Sequence, residues 1–189
     1  GHTLTMNNGI DASGTVTRGV GGGFAATSFG PVRGTFNNLS LETGLGGSAA
    51  ALNGNTTLFG SGNVVTISGD VSLGGHILSN LQGTVRTFNG VGRLLMTSSP
   101  DEVIADSMDF SGGDETAFLT AGLIQTRSLS QGFGAGSTTT SFVGSGSHLV
   151  ALVGSVPSTI ALANPGSSVF QGLDVSNVTG SLTLVNSIT

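Results

Sequence analysis

Cysteine, tryptophan and tyrosine are absent from the 189 residues, and all five cations are arginines, so lysine is missing as well. Each absence removes a class of chemistry. Without cysteine there are no disulfides and no thiolate metal sites, although this does not fix the compartment. Without lysine a P-loop cannot form, so Gly19-Val20-Gly21-Gly22-Gly23 reads as a turn, with no helix behind it to hold a phosphate. Without tryptophan and tyrosine the usual stacking platforms for sugars are missing, and a glycan site would rest on amides and hydroxyls.

Charge is scarce too. Only 8% of residues are charged, against about 25% in ordinary globular domains. The formal net charge is -5, and Arg18, Arg33, Arg86, Arg93 and Arg127 are dispersed. Nucleic acid and anionic membrane surfaces both need a clustered basic stripe, so neither is an expected partner. No apolar run approaches the ~18 residues of a membrane-spanning helix. No signal peptide is visible, and Gly1-His2 reads as the start of a mature fragment of a larger protein.

What is present is glycine, 33 of them, on a background of Ser, Thr and Asn, with 37% hydrophobic residues and a mean hydropathy of +0.30. Low charge with many β-branched residues is the opposite of a disordered composition. Apolar and polar residues alternate in Thr15-Val16-Thr17, Leu39-Ser40-Leu41, Val64 to Ser68, Val71-Ser72-Leu73, Val85 to Phe88 and Leu182-Thr183-Leu184, mostly bounded by glycine. A period of two places alternate residues on opposite faces of a strand. Pro100 to Met108 has a proline and acids at a would-be first helical turn, but Val103 and Ile104 are β-branched and the run is short. The class is all-β.

Strands this short and close suit a parallel β-helix, or β-solenoid, whose chain turns a corner every few residues. Phe88, Phe110 and Phe133, spaced 22 and 23 apart and each followed closely by glycine, suggest a rung of about 22 residues. Stacked rungs would align Phe, Leu and Val in interior columns and Ser, Thr and Asn in ladders. The alternative is a β-sandwich with turns every 8 to 12 residues. Residues 1–189 form one domain, with Gly132 to Ser141 the expected flexible segment or wide turn.

In the second half, Leu94-Leu95-Met96-Thr97, Asp109-Phe110-Ser111-Gly112-Gly113 and Leu119 to Ile124 follow in order, then Gly144-Ser145-Gly146-Ser147-His148 and Ala163 to Leu173. This run, roughly residues 90 to 189, resembles the repetitive β-solenoid segments of very large exported bacterial proteins, often found beside immunoglobulin-like repeats. The resemblance implies an extracellular or cell-surface setting. It carries over no catalytic residue.

Candidate chemistry is sparse. Six of the ten acids, Asp101, Glu102, Asp106, Asp109, Asp114 and Glu115, fall in one stretch. Calcium favours several hard oxygens, but Gly112-Gly113-Asp114 is not repeated, and turn aspartates are the simpler reading. A polysaccharide lyase or hydrolase would need such acids beside a base, with Arg86 and Arg93 the only cations close in sequence. His2, His76 and His148 are isolated, have no cysteine to share a metal and are expected at the surface or in turns. Asn38-Leu39-Ser40, Asn55-Thr56-Thr57 and Asn177-Val178-Thr179 match the glycosylation acceptor pattern, meaningful only in a eukaryotic host. Thr3/Thr5, Thr15/Thr17 and Thr138/Thr140 do not recur at a rung period, so a continuous ice-ordering array is not expected.

The expectation is a non-enzymatic structural module, with no catalytic residue, metal or cofactor. It would serve as stalk, fibre or surface-layer material and self-associate through open β ends. The alternative is an adhesin-type module binding a glycan or protein.

Overall fold

The computed structural model describes residues 10–19, 28–29, 33–42 and 49–186. Among them are fifteen strands, one 3-10 turn (Pro165–Ser167) and no α-helix. Every pairing between strands is parallel. Parallel strands consecutive in sequence cannot be joined by hairpins. The chain instead circles and lays each strand on its counterpart one rung earlier, which makes a β-solenoid with rungs near 23 residues.

Each rung has three faces. Face A carries the first halves of β1 (Ile10–Gly19), β3 (Arg33–Glu42), β8 (Ile77–Thr87), β10 (Glu102–Phe110) and β11 (Leu123–Gln131), with β5 (Thr56–Phe59), β12 (Leu149–Gly154) and β14 (Leu173–Val178). Face B carries their second halves with β6 (Val64–Ser68), β13 (Ser158–Leu162) and β15 (Leu182–Leu184). Face C is a sheet of β2 (Ser28–Phe29), β4 (Ala50–Leu52), β7 (Asp70–Ser72) and β9 (Arg93–Leu95). The single bridges Met96–Leu119, Leu119–Gly144 and Val143–Val169 prolong it.

The corner between A and B is written in the burial pattern. Along β10 and β11 buried and half-buried residues alternate, except for the consecutive half-buried pairs Asp106-Ser107 and Arg127-Ser128. A break in the period of two rotates the strand by one face, so the next alternate set again points inward. Asn80, buried at the same corner, donates from Nδ2 to the carbonyls of Asn63 (3.2 Å) and Thr84 (3.0 Å). That ties the bent backbone to the rung beneath it.

Stacking like on like fills the core. On face B, Leu39, Val65, Val85, Met108, Leu129 and Ile160 stand in one column and are all buried. On face A, Leu78, Val103, Ile124 and Val150 form another. Outside face B, a hydroxyl ladder runs through Thr84, Ser107, Ser128, Thr159 and Thr183. The columns and the ladder are as the sequence predicts.

The phenylalanine spacing had the right period and the wrong phase. Phe110 pairs with Thr87 below and Gln131 above, so Phe88 and Phe133 each fall outside its column. Phe88 lies half-buried under Arg86, and Phe133 is 59% exposed. The aromatic stack is instead Phe110–Phe142–Phe170, with ring centroids 5.0 and 4.7 Å apart. Pro100 to Met108 is no helix, and Glu102 onward is β10.

Gly132 to Ser141 is not a free linker. It folds back as a strap across earlier rungs. Its Gly134 N–H donates to Ser111 Oγ (3.1 Å), its Thr138 N–H donates to the Gly112 carbonyl (3.2 Å), and Ser141 Oγ donates to the Phe110 carbonyl (2.9 Å). Gly90 shows why glycine is needed: its φ is +68°, and a Cβ there would lie 2.3 Å from the Gly136 carbonyl oxygen.

Candidate functional site

The last described rung, β14 and β15, differs from the others in exposure. Leu173 stands on Val150, Leu182 on Ser158 and Leu184 on Ile160, all three supporting residues being buried. By register these leucines belong to the interior. No described strand lies on β14 or β15 beyond them, so Leu173 is 37% and Leu184 49% exposed. Val175, two residues past Leu173 on the same face of β14, is exposed as well. Among the described residues β14 and β15 therefore present apolar side chains and strand edges without a described partner, a geometry that templates further strand pairing.

The acidic stretch is divided among different faces. Asp101 is buried and accepts backbone N–H bonds from Gly75 (2.6 Å), Thr97 (2.8 Å) and Ser98 (2.9 Å). Glu102 accepts from Gln125 Nε2 on the next rung (2.6 Å). Asp106 takes both Nε–H (2.7 Å) and an Nη–H (2.8 Å) of Arg127, and this bond holds its carboxyl below the usual range. Asp109 accepts hydroxyl bonds from Ser111 and Ser130. Asp114 accepts from the Thr116 N–H (2.9 Å), and hydrogen bonds from Thr116 lower its pKa. No three His, Asp or Glu side chains among the described residues are grouped to hold a metal ion.

Glu115 is the exception in kind. It is fully buried, with Oε1 accepting the Leu94 N–H (2.9 Å) and Oε2 without a partner. Burial pushes its pKa well up, against the opposing pull of the Leu94 hydrogen bond and Arg93. Arg93 itself is clamped by Asp70 (2.6 and 2.5 Å) and lies over the Phe118 ring at 4.4 Å. The clamp raises its pKa. The two arginines considered for catalysis are thus on different faces. Arg86 on face B donates from Nε to Thr66 Oγ1 (3.1 Å), lies 4.6 Å over Phe88 and is the register neighbour of Asp109 without an ion pair.

His148 takes one of the two settings expected for it. It is in a turn but not at the surface, with 1% exposure, its ring edge-on to Phe142 at 6.4 Å and neither nitrogen hydrogen-bonded to the described protein atoms. Burial pushes its pKa down to about 4. A sequence signal existed in the register, because His148 precedes β12 as Asp101 precedes β10, and both corner positions are buried. His76 is half-buried. Exposed Asn55 accepts the Ile77 N–H (3.0 Å). Thr138 and Thr140 belong to the strap, where the Thr140 carbonyl accepts the Glu115 N–H (2.9 Å). His2, Thr3, Thr5 and Val20 to Gly23 lie outside the described residues.

No helix among the described residues is long and apolar enough to cross a membrane. No family model, curated protein or solved structure matches the chain.

Proposed function

We propose that this chain is a non-enzymatic structural module of an extracellular or cell-surface bacterial protein: a rod segment for a stalk, fibre or surface layer that self-associates end to end. The observation behind this reading is the contrast within one column, where Ile160 is 1% and Leu184, one rung on, 49% exposed. Covering that end removes apolar surface from water, about 25 cal/mol per Å². It also gives the edges of β14 and β15 backbone partners. A surface that matches an open parallel rung is another parallel rung, and among the described strands β1 lies at the opposite edge of the same sheet. Contact between the two unlike ends would be heterologous and so would extend rather than close. The bacterial surface setting rests on the resemblance of residues 90–189 alone. In sedimentation equilibrium, the paired substitution Leu173→Asp and Leu184→Asp is expected to abolish association while leaving the β-type circular dichroism unchanged. Association that persists in this variant contradicts the proposal.

A second reading, an adhesin-type binding module, draws on face B. There the Arg86 guanidinium is fixed over Phe88 beside the hydroxyl ladder, with no carboxylate partner among the described residues. Glycan-array binding that disappears on Arg86→Ala would favour it.

A further inference from the structure

We infer that Arg86 and Asp109 together form a saccharide site on face B. It takes a neutral sugar through two adjacent hydroxyls, one accepting from the guanidinium and the other donating to the carboxylate. The inference rests on the binding-module reading above and deepens it, naming the residue that acts with Arg86 and the class of ligand. It starts from an ion pair that is not made. Arg86 and Asp109 are register partners on neighbouring rungs, whose backbones lie about 4.8 Å apart. Both are half-buried and point outward, since Val85, Thr87, Met108 and Phe110 on either side of them are buried. Two other Asp–Arg neighbours on adjacent rungs, Asp70–Arg93 and Asp106–Arg127, close into bidentate ion pairs. Opposite charges across a strand pair attract, so an open pair needs a cause.

The cause is that each group is anchored on the side away from the other. Arg86 Nε donates to Thr66 Oγ1 on the rung below (3.1 Å), and its guanidinium carbon lies 4.6 Å over the Phe88 ring. Asp109 Oδ1 accepts from Ser111 Oγ (2.7 Å) and from Ser130 Oγ on the rung above (3.0 Å). The Nη groups of Arg86 and Oδ2 of Asp109 are left without a protein partner among the described residues. A donor and an acceptor are thus fixed side by side, each oriented by a neighbour and each with bonding capacity to spare.

The ligand class follows from this arrangement. A guanidinium only donates and an ionised carboxylate only accepts. An anion drawn to Arg86 is repelled by Asp109, and a cation drawn to Asp109 is repelled by Arg86. A hydroxyl both donates and accepts, so two adjacent hydroxyls on one ring satisfy both groups and carry no charge. Bonds to ionised partners are about twice as strong as neutral ones. The surroundings suit a sugar. Thr84, Ser107 and Ser128 of the hydroxyl ladder lie two residues along the same outward face. The Gly134 N–H joins the strap to Ser111 Oγ (3.1 Å), and the residue before it, Phe133, is 59% exposed, an apolar ring for a sugar's C–H groups. A peptide fits less well. Extended peptides bind by adding to a free sheet edge, whereas β8 is paired with β6 and β10, and β10 with β8 and β11.

The test is saturation-transfer difference NMR on the full chain at pH 7, which reads the ligand and so works on monomers and rods alike. The neutral probes are the methyl glycosides of glucose, galactose and mannose, which between them present cis and trans adjacent hydroxyls. N-acetylneuraminic acid and acetyl-triglycine amide serve as the anionic and peptide probes. At least one neutral glycoside is expected to bind, and to bind about tenfold or more weakly to Arg86→Ala and to Asp109→Asn alike. Arg86→Lys, whose ammonium has no flat face to lay on Phe88, is expected to weaken it too. No transfer to any of the three glycosides, affinity unchanged in whichever of these variants folds, or preference for the anionic or peptide probe overturns the site. Glycan-array binding lost in Arg86→Ala but kept in Asp109→Asn would refute the paired site and leave the adhesin reading standing. Silence of the array and of every probe would refute both.

Discussion

Ile160 and Leu184 are aliphatic residues in the same column, on the same face, in neighbouring rungs, yet one is enclosed and the other half open. The same holds for Val150 and Leu173. Nothing in the local sequence separates Ile160 from Leu184, since apolar and hydroxyl residues alternate in β13 and β15 with the same phase around them. The difference is whether another rung lies above. In a solenoid each rung supplies half of its neighbour's core, so stability is shared between adjacent units and a terminal unit is short of one contact surface. Among the described residues the inner rungs have a neighbour on both sides, and the β14–β15 rung has a described neighbour on one.

That comparison can be broken at its two ends. Ile160→Ala empties a closed core position and should cost about 2–5 kcal/mol of unfolding free energy, measured by urea titration. Leu184→Ala, one rung on, should cost less than about 1 kcal/mol in the monomer, near the level of surface changes. Equal costs would mean that the last rung is already closed.

The strap gives a second contrast, between glycine as linker and glycine as packing. Gly90→Ala forces a Cβ against the Gly136 carbonyl at φ +68° and should destabilise by about 1–3 kcal/mol. It should also speed proteolysis within 132–141. A true linker would absorb the change.

Glu115 and His148, both buried, should tilt stability in opposite directions with pH. The Glu115 pKa is raised in the fold, so its contribution is fully present below the ordinary value of 4.5 and is lost as pH rises toward the elevated folded value. Glu115→Gln, which cannot ionise, should therefore raise the melting temperature at pH 7 and change it little at pH 4. His148, with its pKa lowered to about 4, acts the other way. Stability is highest above pH 6.5 and declines as pH falls from there to about 4, by roughly 3 kcal/mol if the ring is fully solvated on unfolding. The smallest expected effect is at the half-exposed Asp106–Arg127 pair on the A–B corner. Arg127→Ala should cost under about 1 kcal/mol, less in high salt.

The sequence made the class and the architecture legible because both depend on local features. Glycine-bounded alternation marked Val64–Ser68 and Leu182–Leu184 as strands, and the structure places β6 and β15 on those residues. The period was legible from phenylalanine spacing, but the phase was not. Phase depends on corner length, and β11 stands 21 residues above β10 where the aromatic spacing implied 23. Gly132 to Ser141 has a linker's composition, and its role emerged only from the carbonyls it packs against. The burial of His148 and Glu115 was not legible because burial at a corner is set by the rungs above and below rather than by sequence neighbours. The open end was unreadable for the same reason: Leu182-Thr183-Leu184 is an ordinary core strand in sequence.

The most direct test of the central claim, that the final rung is an associating surface, is light scattering of the wild-type chain at pH 7 across a concentration series, with electron microscopy of the largest species. The account predicts mass that grows with concentration and thin rods one solenoid wide. A monomer at every concentration, with Leu173 and Leu184 still solvent-accessible, would contradict it.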